Sequence, residues 1–115
     1  MITLKEIVEK LNLDVKTCNS ALNKEVWDGY ASDLLSDVIA NSKPNSLWIT
    51  LQMHPNIVAV AVLKELSGIV LVNGREPDED TVKKAEEEGI MIATSSLPAF
   101  ELIGKIFEMG FNEGT

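Results

Sequence analysis

A chain of 115 residues with 45% apolar residues and a formal net charge of −8 has the size of one domain, 1–115, and can bury about two-thirds of its unfolded surface. The charge excludes sequence-independent nucleic-acid binding, which rests on Lys and Arg neutralising phosphates, and it disfavours anionic membranes. One cysteine, Cys18, allows no internal disulfide and fits a reducing cytoplasm. The opening residues turn polar at once, predicting no leader, and the longest apolar run, 57–63, falls far short of the about 20 residues of a membrane span.

Thr3-Leu4-Lys5-Glu6 has the form of a capping box, and Leu4, Ile7, Val8 and Leu11 then follow at helical spacing. This predicts an amphipathic helix ending near Asn12. Residues 13–17 suit a short strand, and Asn19-Ser20 a turn. Residues 26–31, with Val26, Trp27 and Tyr30, favour a strand, with Gly29 marking a bulge or a close approach. Ser32 or Asp33 reads as the N-cap of a helix through Leu35, Val38 and Ile39. Residues 41–45 form a loop.

Three apolar runs follow, 47–51, 68–72 and 90–94, each succeeded by a polar loop and a helical pattern. Such alternation predicts a mainly parallel central sheet between helical layers, a three-layer α/β/α domain. Pro55 suits a first helical turn. Residues 57–63 are apolar on nearly every side, so that helix must be covered on more than one face, by a neighbouring element or by a second subunit. Pro77-Asp78-Glu79-Asp80 starts the next helix with acids in its first turn, Val82 and Ala85 face inward, and Gly89 ends it. A last helix runs from Leu97 or Pro98 to Met109, with Leu102, Ile103, Ile106 and Phe107 inward. Residues 111–115 read as a frayed tail.

In open α/β sheets, ligands bind at the carboxyl ends of the strands. Right-handed crossovers bring Thr50, Gln52, His54 and Asn56, then Asn73, Gly74 and Arg75, then Thr94, Ser95 and Ser96 to one edge. The helix after residues 26–31 adds Asp33, Ser36 and Asp37. Helix amino ends there suit phosphate or carboxylate, and Arg75 offsets the acidic background locally. Each group also has a structural alternative: Ser and Thr as helix caps, His54 as a partner of its own backbone, and Asp33 and Asp37 as solvated caps in place of a water-mediated Mg²⁺ site. Without a second His or paired cysteines, no zinc site is expected. Trp27, Tyr30 and Trp48 suit the core, an interface or a pocket wall.

No phosphate-binding loop of the G-x-x-x-x-G-K-[ST] type, no G-x-S-x-G elbow and no G-x-G-x-x-G after a strand occurs, so no catalytic residue, cofactor or metal is assigned.

The stretch from Val26-Trp27-Asp28-Gly29-Tyr30-Ala31-Ser32-Asp33, through Trp48-Ile49-Thr50, to Val70-Leu71-Val72-Asn73-Gly74-Arg75-Glu76-Pro77 and Glu88-Gly89-Ile90 resembles the DRTGG domains. This resemblance implies a fold like the N-terminal domain of HPr kinase/phosphorylase, and a regulatory or dimerising module with no reaction of its own. Where many members carry Asp-Arg the chain has Gln52-Met53-His54-Pro55, and where they carry Thr-Gly-Gly it has Val72-Asn73-Gly74. The expectation is a cytoplasmic homodimer sensing a small anionic or nucleotide-like ligand. One alternative is an interaction subunit docking on a partner enzyme through its acidic face or residues 57–66. The other is a hydrolase or transferase using His54 with Asp33 or Asp37.

Overall fold

The computed structural model describes residues 2–111, so residues 112–115 of the expected tail lie outside the described part. The chain runs β1 (Ile2–Thr3), α1 (Leu4–Leu11), β2 (Asp14–Val15), a short 3-10 turn (Asn19–Ala21), β3 (Glu25–Val26), β4 (Asp28–Ala31) and α2 (Leu35–Asn41). It continues with β5 (Ser46–Thr50), α3 (Asn56–Leu63), β6 (Gly68–Leu71), α4 (Glu79–Glu88), β7 (Met91–Thr94) and α5 (Ala99–Ile106), then a wider helical turn, Phe107–Phe111.

Strands β4, β5, β6 and β7 are parallel neighbours, and β2 closes the far side antiparallel to β7, giving the order β2-β7-β6-β5-β4. A second, two-stranded sheet pairs β1 with β3. The three expected apolar runs are β5, β6 and β7, and all of their residues are buried, as a parallel sheet covered on both faces requires.

Strand alternation sorts the core into two layers. Leu47, Ile49, Val70, Val72, Met91 and Ala93 pack with Leu4 and Ile7 of α1 and Leu102 and Ile106 of α5. Trp48, Ile69, Leu71 and Ile92 face the other way, against Val38 of α2, Ile57, Val58, Val60 and Ala61 of α3, and Ala85 of α4. The architecture is therefore three-layer α/β/α. The apolar helix α3 packs on the sheet, flanked by α2 and α4 in the same layer, leaving Ala59, Val62 and Leu63 exposed. No helix among the described residues is long and apolar enough to cross a membrane.

Several local expectations shift. Helix α2 begins at Leu35 after an extended Leu34, so neither Ser32 nor Asp33 is its N-cap. Ser32 Oγ instead accepts from Leu34 N at 3.2 Å, and the Asp33 side chain leaves the helix for β5. Helix α4 starts at Glu79 because Asp78 remains extended, its N–H given to Met53 O at 3.2 Å. Thr81, not Val82, is the fully buried residue beside Ala85. Phe107 is 53% exposed, not inward, because α5 widens after Ile106 into the final turn.

Candidate functional site

The parallel register brings the carboxyl ends of β4, β5, β6 and β7 to one edge, as expected. Asp33 is the hinge of that edge. Its Oδ1 accepts from Thr50 Oγ1 at 2.8 Å and from Leu51 N at 2.7 Å, while its carbonyl accepts from Gln52 Nε2 at 2.8 Å. Thr50 Oγ1 in turn accepts from Gln52 N at 3.2 Å. Asp33, Thr50 and Gln52 thus form a clamp between the β4–α2 and β5–α3 loops. Trp48 Nε1 donates to Ser32 O at 2.8 Å and fixes the same loop from below.

His54 lies just before α3. Its Nδ1 accepts from Asn56 N at 3.1 Å and its carbonyl accepts from Ile57 N at 3.1 Å, with Pro55 in helical geometry between them. The ring makes no hydrogen bond or ion pair to Asp33 or Asp37 among the described residues.

The β6–α4 loop is a tight turn. Arg75 N donates to Val72 O at 3.1 Å across Asn73 and Gly74, whose φ values are 59° and 69°, the pattern of a type I′ turn. Gly74 is thereby required by backbone conformation. Asn73 N donates to Leu97 O at 3.0 Å and Gly74 N to Ser95 O at 2.9 Å, so both amides are consumed by the β7–α5 loop. Ser95 Oγ accepts from Leu97 N at 3.1 Å. Thr94 is buried, while Ser96 and Ser36 are exposed on the surface beside the edge.

Asp37 does not join Asp33. It lies within α2, where its oxygens accept from Tyr30 Oη at 3.0 and 2.9 Å and from Asn41 Nδ2 at 2.8 Å. Hydrogen bonds from Asn41, then Ser32 and Tyr30, hold its carboxyl below the ordinary value, and the same pairing raises the Tyr30 phenol. The i, i+4 carboxylate pair is therefore not assembled, and no group of three potential metal ligands occurs among the described residues.

Between these loops a groove of about 220 Å³ opens on the α5 side, lined by Ala31, Ser32, Asp33, Ile49, Thr50, Leu51, Val72, Asn73 and Ala99. Asp33, Thr50 and Asn73 meet there over an apolar floor. Arg75 does not line it; its Nη1 lies 4.0 Å from Met53 Sδ, toward α3 and α4. His54, Asn56 and Arg75 thus sit around the edge without entering the groove. Met53, unmarked in the sequence, anchors the rim, its carbonyl accepting from Thr81 Oγ1 at 2.5 Å and Asp78 N at 3.2 Å. Lys16, the residue after β2, pins the Arg75–Glu76 loop, bonding Asp14 at 2.7 Å and Glu76 at 2.9 Å. Cys18 is structural: its N–H donates to Glu86 Oε1 at 2.7 Å and its thiol to Ala85 O at 3.4 Å, and burial, then Glu86, push the thiol up.

No family model matches the chain, and no curated protein matches it. Among solved structures it is similar to the CBS and DRTGG domains of the regulatory region of Clostridium perfringens pyrophosphatase, complexed with the activator diadenosine tetraphosphate, with a TM-score of 0.70 and 14% identity. The fold is DRTGG-like. That similarity covers 90% of this chain and 45% of that chain, so the chain spans less than half of the regulatory region, and at this identity the likeness is one of fold.

Proposed function

We propose that this chain is a non-catalytic regulatory module, a cytoplasmic homodimer whose strand-end edge binds a small nucleotide-like ligand. The observation that carries the reading is the groove where Asp33, Thr50 and Asn73 converge over Ile49, Leu51, Val72 and Ala99. An apolar floor with few polar groups at its rim suits a planar base and a hydroxylated sugar. Anionic groups of the ligand extend past Asn73 toward Arg75, since the groove itself carries the Asp33 carboxylate and repels them. A regulatory neighbour of the same fold supports the reading at the level of architecture.

His54 bonded to the Asn56 amide, Asp33 clamped to Thr50, and Asp37 held by Tyr30 argue against the hydrolase or transferase alternative. Thermal unfolding with millimolar mono- and dinucleotides tests the proposal. A ligand at tenfold its Kd adds about 1.4 kcal/mol, roughly 4–6 °C at this size. Asn73→Ala is expected to abolish the shift, and Arg75→Ala to abolish it for phosphorylated ligands only. Absence of a shift with every nucleotide overturns the ligand reading.

A further inference from the structure

Strand β4 is one of the two edges of the five-stranded sheet, and with four residues the longer one, with β5 on one side and no strand on the other; the opposite edge, β2, has two residues. Ser32 donates its N–H inward to Ile49 O at 3.3 Å. In the alternating parallel ladder the N–H and C=O of Gly29 and Ala31 therefore point to the open side. Gly29 N meanwhile rests on the neighbouring Asp28 carboxylate at 2.8 Å. Nothing inside the chain requires a glycine at this position: its φ is not in the left-handed region, and an added Cβ would come no closer than 3.7 Å to Leu47 O. A strand glycine lowers stability, and it commonly marks close approach by another backbone. Gly29 and Ala31 also form one wall of an apolar groove of about 430 Å³ that runs between β4 and α5, with Trp27, Ile103, Ile106 and Phe107 around it. Trp27 and Phe107 are 55% and 53% exposed.

We infer that a second copy of this chain occupies this edge, through antiparallel β4–β4 pairing about a two-fold axis at Tyr30. The inference deepens the homodimer part of the proposed function by naming its surface, and it is independent of the nucleotide. In this register Gly29 faces Ala31 of the second copy and the reverse, so all outward-pointing N–H and C=O groups of both residues are satisfied reciprocally. Tyr30 faces Tyr30 as an aromatic pair. Asp28, the charged residue among the groove's lining, faces Ser32 of the second copy, so no like charges are apposed across the seam. Gly29, which has no side chain, and the methyl of Ala31 let the two apolar grooves merge, and the exposed indoles and Phe107 rings flank the seam. A two-fold axis closes the β4 edge once, leaving only the two-residue β2 edge at each outer end of the joined sheet.

Sedimentation equilibrium at micromolar concentration tests this, with Ala31→Glu placing a carboxylate in the seam and Val62→Glu marking the exposed side of α3. The expected result is a dimer for the native chain and Val62→Glu, and a folded monomer by circular dichroism for Ala31→Glu. In a Cys18→Ser background, oxidised mixtures of Gly29→Cys and Ala31→Cys chains are expected to cross-link, and neither alone. A native monomer overturns both the inference and the homodimer reading. A dimer that survives Ala31→Glu, or that Val62→Glu breaks, overturns the edge alone. Cross-linking of Gly29→Cys with itself overturns the register.

Discussion

Asp33 shows how one side chain can serve an expected site while acting as structure. Residues 32–33 followed by a helical pattern carry the signature of an N-cap, yet the carboxylate bonds Thr50 and the Leu51 amide of the adjacent strand. Local propensity is outweighed here by a partner 17 residues away, which no periodicity encodes. Charge-assisted bonds of this kind contribute about 1.5–3 kcal/mol, less when solvated, so Asp33→Ala is expected to lower stability in urea by about 1–2 kcal/mol. Thr17 is the buried counterpart, donating to Ile90 O at 2.7 Å and accepting from Ile92 N at 2.8 Å. Thr17→Val keeps the shape but strands the Ile92 N–H, and unfolding experiments are expected to show a loss of about 1–3 kcal/mol. Asp37 gives a pH signature. Because its native carboxyl is held below its ordinary value, its bonds stabilise the fold fully above the unfolded carboxylate pKa of about 4. That contribution disappears as the pH falls through the lower native value. Asp37→Asn is expected to flatten the acid limb of a stability–pH profile and leave its slope near neutrality unchanged.

At the level of elements, legibility followed burial and local capping. The capping box at Thr3 and Glu6 forms, with Glu6 N donating to Thr3 Oγ1 at 3.3 Å and Thr3 N to Glu6 Oε1 at 3.1 Å. Thr3→Ala is expected to cost about 0.5–2 kcal/mol, read as an earlier urea midpoint with unchanged slope. Strands β5, β6 and β7 were readable because burial on both faces makes the whole segment apolar. The two-residue strands β1, β2 and β3 exist through pairing with distant partners and carry no period of their own. Helix α3 was expected to need cover on more than one face, and the sheet with α2 and α4 supplies most of it. Its remaining exposed strip at Val62 and Leu63 makes substitutions there nearly neutral. Leu63→Lys is expected to change stability by less than about 0.5 kcal/mol, measured by denaturant titration.

For the molecule as a whole, the alternation of strand, loop and helix located the candidate edge, but not which of its groups are free. Asn73 and Gly74 carry the right amides for a ligand, yet the β7–α5 loop takes both, a contact that depends on how two crossovers meet in space. Trp27 was expected in the core by default, with an interface or a pocket wall as alternatives, yet beside the open side of β4 its indole is 55% exposed. The charge, by contrast, acts on the entire fold and was readable from the outset. Eighteen Asp and Glu face ten Lys and Arg, and among the described residues Lys16 alone forms ion pairs. The compact state therefore concentrates like charge that the unfolded chain spreads out. Screening shortens from about 30 Å at 0.01 M salt to about 3 Å at 1 M, so sodium chloride relieves the folded state more than the unfolded one. The expected outcome is a midpoint that rises with salt by several degrees, a gain of about 1 kcal/mol corresponding to roughly 3–4 °C. Replacing Glu87 and Glu88 on the exposed side of α4 with Gln raises the low-salt midpoint and shrinks the salt-dependent rise. If the two variants and the native chain gain equally from salt, the effect belongs to apolar burial and not to the acidic surface.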